Sequence, residues 1–60
     1  MILTLEGVDL DCHFNWTPPE PGNGIAERFD LLSAFIGDVD IYPLLSFDQI
    51  TELEQKCATN

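Results

Sequence analysis

Sixty residues suffice for one domain at most, and a chain this short buries only about 60% of the surface that its unfolded form exposes. Apolar residues are 45% of it, ordinary for a folded unit and too many for a disordered acidic tail. Eleven acids against two bases, Arg28 and Lys56, give a net charge of −9, which argues against direct binding to DNA, RNA or an anionic membrane because phosphate contacts need Lys and Arg.

The segment "ILTLE" reads as a first short strand. The next segment, "VDLDCHFNW", alternates without a break: Val8, Leu10, Cys12, Phe14 and Trp16 fall on one side, and Asp9, Asp11, His13 and Asn15 on the other. Successive side chains of a strand point to opposite faces, so this second strand has an apolar face for a core and an acidic face for water or a partner. Glu6 and Gly7 between the two strands are enough for a tight two-residue hairpin. Residues 17–24, "TPPEPGNG", carry three prolines and two glycines and form a loop. Its Pro18-x-x-Pro21 spacing fits a polyproline ligand, but a Pro-rich connection explains it more simply.

Residues 25–36, "IAERFDLLSAFI", fit a helix through Phe29, Leu32 and Phe35, or a strand through Phe29, Leu31, Ser33 and Phe35. Gly37 and Asp38 follow as a Gly-first pair suited to a type II′ turn, and "VDIY" alternates again. The expected reading is a second hairpin over residues 28–36 and 39–42. The last element has the strongest local signals. Ser46 and Gln49 form a capping box, and Leu45 and Ile50 a hydrophobic staple. Asp48 in the first turn and Lys56 in the last suit the helix dipole. The spacing predicts a helix over 47–58 with an apolar stripe of Phe47, Ile50, Leu53 and Cys57, and with Asp48, Glu52 and Lys56 along another face. The expected fold is α+β: a small antiparallel sheet of two hairpins with one C-terminal helix on one face, a single domain over residues 1–60.

Chemistry is poorly represented. Zinc needs three or four ligands, whereas Cys12 and His13 are adjacent on a strand and point apart, so neither a metal nor any other cofactor is expected. Asp38-x-Asp40 opens like a calcium loop, but Tyr42, Pro43 and Gln49 occupy later positions that such a loop needs. Asp9 and Asp11 have nothing to desolvate them for acid–base work, and Ser33 and Ser46 have turn or cap explanations, so the chain is not read as an enzyme. Trp16 reads as a core residue packing on Pro18 or Pro19, and Tyr42 as a core or interface aromatic. The opening "MILTLEG" has neither a basic region nor a long apolar run, so the expected compartment is the cytoplasm, with Cys12 and Cys57 free and buried.

The charge remains to be explained. Solubility usually needs a net charge of only about 2 to 8 in a small domain. Carboxylates held in rows on a folded scaffold can also imitate the charge that DNA presents to its binders. The order "TPPEPG", an apolar stretch, "GDVDIYPLLS" and a final "DQITELEQ" helix resembles small acidic proteins encoded by phages and mobile elements. The acidic, compact build is similar to anti-CRISPR and anti-restriction proteins that act as DNA mimics. That resemblance implies a phage-type inhibitor whose target is a host defence protein that grips DNA, a CRISPR effector subunit foremost. The expected partner is thus the basic surface of a DNA- or RNA-binding protein, with self-association allowed. The expected contacts are Asp9, Asp11, Asp38, Asp40, Glu52 and Glu54. The competing expectation is a small phage accessory or assembly protein with a structural role.

Overall fold

Glu6 and Gly7 both have positive φ, 51° and 81°, as a type I′ turn requires, and they join two strands paired from Leu5–Val8 outward. In the computed structural model, which describes residues 1–59, these strands are β1 (Ile2–Leu5) and β2 (Val8–Thr17). The ambiguous segment resolves as strand: β3 spans Arg28–Ile36 and pairs antiparallel with β2. Gly37 has φ 59° and Asp38 does not share the positive sign, the φ pattern of a type II′ turn. β4 (Val39–Asp40) closes a sheet of order β1-β2-β3-β4, and α1 (Phe47–Thr59) follows.

β4 is two residues shorter than its alternation suggests. Pro43 lacks an N–H for a ladder, and the chain from Tyr42 to Leu44 turns as a 3-10 helix with that proline at its start. The Asp40 carboxylate accepts the N–H of Tyr42 two residues on, an Asx-type turn that ends the strand.

The pairing of β2 with β3 is irregular at one point. His13 faces Ser33 and Phe14 faces Leu31, so Leu32 is an extra residue, a β-bulge. The bulge lets both neighbours be used: Leu31 is buried and Leu32 is exposed.

The core lies between the sheet and α1. Leu3, Leu5, Leu10, Cys12, Leu31 and Ala34 from the sheet meet Leu53 and Cys57 from the helix, and Ile50 and Leu45 pack at the margin as the staple predicts. The capping box is formed in both directions: Gln49 N–H donates to Ser46 Oγ at 3.2 Å, and Ser46 N–H to Gln49 Oε1 at 2.9 Å.

Two apolar expectations are corrected. Phe47 does not join the helix stripe and is 81% exposed. At about 100° per residue it sits well round the helix from Leu53 and Cys57, and it belongs to the first turn, where the sheet gives it no partner. Trp16 is 54% exposed and turns its indole N–H to Glu27 Oε2 at 2.9 Å. It lies near the far end of the β2–β3 hairpin, which gives the molecule Cα extents of 40 × 19 × 18 Å.

β1 is an outer strand. Met1 and Cys12 exchange both backbone bonds, and antiparallel pairs alternate, so Leu3–Leu10 and Leu5–Val8 are the next bonded pairs. The backbone groups of Ile2 and Thr4 therefore face outward. One of them, the Thr4 carbonyl, accepts a hydrogen bond from Lys56 Nζ.

Candidate acidic interface

The six carboxylates singled out from the sequence do not share one face. Asp9 and Asp11 alternate with the buried Leu10 and Cys12, so they stand on the open face of the sheet, away from α1. Asp9 Oδ1 accepts the Thr4 hydroxyl across the strand pair at 2.8 Å. Asp11 lies 3.6 Å from the Met1 amino group and 3.8 Å from His13 Nε2. The His13 ring meets Phe35 edge to face, with centroids 5.8 Å apart. The open face is thus a mixed surface of carboxylates, an imidazole and an aromatic ring.

Asp38 is exposed in the β3–β4 turn. Asp40, next but one along the chain, is committed to the fold: its Oδ1 accepts the N–H of Tyr42 at 3.0 Å and of Ala34 at 3.3 Å. Glu52 pairs with Lys56 one turn along α1 at 3.0 Å. Glu54 reaches back to the sheet and accepts the N–H of Leu31 at 2.9 Å, one residue before the bulge. Asp9, Asp11 and Asp38 therefore remain most available to a partner. Asp40 and Glu54 spend their charge on backbone N–H groups that the turn and the bulge leave without a ladder partner. The Asp-x-Tyr-Pro sequence signals the role of Asp40, whereas nothing near Glu54 in the sequence points to Leu31.

Glu6 is a carboxylate that sequence reasoning passed over. It sits in the first hairpin turn and accepts the Gln49 side-chain amide at 3.0 Å. This bond forms one lip of an apolar groove of about 160 Å³ lined by Leu5, Val8, Leu10, Ile36, Ile41 and Leu45.

Both bases are engaged: Arg28 with Asp30 at 2.8 Å, and Lys56 with Glu52 and the Thr4 carbonyl. The hydrogen bond that Arg28 donates to Asp30, together with the charge of that carboxylate, raises the Arg28 pKa further. Burial pushes the thiols of Cys12 and Cys57 up, and both are free and buried. Among the described residues no three His, Cys, Asp or Glu side chains gather as a metal site, and no helix is long and apolar enough to cross a membrane.

The net charge of −9 over a 40 Å axis amounts to one charge per about 4.4 Å, spread over every face. Duplex DNA carries one charge per about 1.7 Å of its axis, so the likeness lies in the sign of the charge and not in its density. Comparison with protein-family models, with curated proteins and with solved structures finds no match for this chain.

Proposed function

We propose that this chain is a phage-type inhibitor that occupies the basic groove of a nucleic-acid-handling host defence protein, a CRISPR effector subunit foremost, and so excludes DNA. The exposed carboxylates of Asp9 and Asp11 on the open face and of Asp38 in the adjoining turn, on a chain of net charge −9, are the observation that carries this reading. The engagement of both bases within the molecule supports it, because Arg28 is paired with Asp30 and Lys56 with Glu52. Asp9 and Asp11 on the open face, with Asp38 at the adjoining end, are the contacts best placed to meet a partner's Lys and Arg.

Exposed ion pairs contribute only about 0–1 kcal/mol each, so binding should depend on several carboxylates together. The test replaces Asp9 and Asp11 with Lys, then Asp38 as well. Asp40 and Glu54 stay unchanged, since their carboxylates hold backbone groups. Binding to CRISPR effector complexes and restriction enzymes is measured in competition with duplex DNA at low and moderate salt. Inhibition should weaken steeply with salt and fall with each reversal. A triple variant that keeps its circular dichroism spectrum, its affinity and its salt dependence would end the reading.

A second reading, an accessory or assembly protein with an apolar interface, draws on the ten large apolar side chains left exposed among the described residues, Leu44 and Phe47 most of all. Partner binding that ignores salt and does not compete with DNA would favour it.

A further inference from the structure

The groove between the turn end of the sheet and the start of α1 has a shape and a charge setting that define an occupant. Its walls are the aliphatic side chains of Leu5, Val8, Leu10, Ile36, Ile41 and Leu45. Leu5 and Leu10 form a buried floor, while Val8 and Ile36 are each 45% exposed and open it to solvent. At about 160 Å³ it matches the apolar cavities of about 150 Å³ that take up one benzene ring. The volume suits one phenylalanine- or leucine-sized side chain.

The surroundings are acidic. Glu6 forms the lip with Gln49, Asp38 lies two residues beyond Ile36, Asp40 precedes Ile41, and Asp48 precedes Gln49. Neither base offers an unpaired charge to the groove. Arg28 is at the other end of β3, about 26 Å from Ile36 at the rise of a strand, and it is held by Asp30. Lys56 reaches the Thr4 carbonyl, next to Leu5 of the floor, but its charge is paired there with Glu52 at 3.0 Å.

We propose that this groove docks one large apolar side chain borne on a protein segment whose neighbouring residues are lysine or arginine. The proposal rests on the reading of a basic partner and gives that partner an anchor. The groove supplies the desolvated contact that fixes position, and the acidic surroundings draw in the flanking cations. A second copy of this chain is the poorer occupant, because it brings another −9 and no uncommitted base.

The experiment uses three seven-residue peptides as probes against the 15N-labelled chain. One has a central phenylalanine between three lysines on each side, the second has alanine in place of the phenylalanine, and the third has glutamates in place of the lysines. The lysine–phenylalanine peptide should bind about tenfold tighter than its alanine counterpart, as expected for burial of most of one aromatic side chain. The amides of Leu5, Val8, Ile36 and Ile41 should move most. Ile36→Trp, which fills the groove, should remove that tenfold advantage, and Leu32→Trp at the exposed bulge should not. If Ile36→Trp does not fold, Val8→Trp serves in its place.

Equal, salt-sensitive binding of both lysine peptides would overturn the groove and leave the acidic interface standing. Failure of both lysine peptides to bind would overturn the two together. A glutamate–phenylalanine peptide that binds as tightly as the lysine one would overturn the basic occupant. A concentration-dependent dimer in sedimentation that Phe47→Ala and the groove-filling Ile36→Trp each abolish would assign the groove to a second copy, and so overturn the proposal as well.

Discussion

Glu54→Ala separates a carboxylate that holds the fold from one that waits for a partner. Glu54 Oε2 accepts the N–H of Leu31 at 2.9 Å, and Leu31 is only 5% exposed. The bulge at Leu32 disturbs the ladder beside it, so the side chain of α1 supplies the acceptor that a regular strand pair would provide. Removing it leaves a poorly hydrated N–H without a partner, at a cost of about 1–3 kcal/mol. Domains hold about 0.05–0.15 kcal/mol per residue, or about 3–9 kcal/mol for a chain of this size, so the loss is a large fraction of the whole. Glu54→Gln keeps an acceptor oxygen but loses the charge assistance, and should cost about half as much. Asp38→Ala, in an exposed turn, controls for relief of self-repulsion. Urea unfolding followed by circular dichroism reads the difference. With a slope of about 1 kcal/mol per molar, the midpoint should fall by about 1–3 M for Glu54→Ala, by less for Glu54→Gln and hardly at all for Asp38→Ala. Equal midpoints for all three variants would refute the structural role and return Glu54 to the interface.

Leu53 is fully buried, and Leu53→Ala should cost about 2–5 kcal/mol, enough to leave much of the chain unfolded at 37 °C in a thermal melt. Gly7 has φ 81° with open space where a Cβ would sit, so Gly7→Ala meets only the backbone penalty, about 1–2 kcal/mol in urea unfolding. Burial holds the Cys12 and Cys57 thiols above their ordinary value of 9.0, so the folded state keeps these protons better than the unfolded chain does. That contribution is whole below pH 9.0 and is lost as pH rises past it. The urea midpoint should therefore drop between pH 8 and 10.5, and Cys12→Ala with Cys57→Ala should flatten the drop; an unchanged slope would exclude the thiols as its cause.

Local signals were legible in the sequence because their causes are local. Ser46 and Gln49 meet within one turn, and Glu6-Gly7 and Gly37-Asp38 set their turns through φ. The alternation from Val8 to Trp16 placed Asp9 and Asp11 on the open face correctly. The same alternation misplaced Trp16, because it shows which side a residue takes and not whether the helix extends far enough to cover it. The adjacent Leu31 and Leu32 in a strand were a readable trace of the bulge. The links of Glu54 to Leu31, Glu6 to Gln49 and Lys56 to Thr4 span 23, 43 and 52 residues. They depend on how α1 lies across the sheet, which no spacing along the chain encodes. The partition of the acidic residues into committed and available groups therefore became visible only in three dimensions.

The outward backbone of β1 bears on how the molecule avoids its own copies. A bare strand rim invites another chain to continue the sheet, and repetition of that step is how fibrils grow. Here the rim is only four residues long, and the ammonium of Lys56 sits on its Thr4 carbonyl, so an incoming strand must first dislodge that side chain. Mutual repulsion between copies at −9 supplies a second barrier, one that vanishes when acid protonates the carboxylates. In acid the burden of keeping the rim unextended therefore falls on its shortness and on a single lysine.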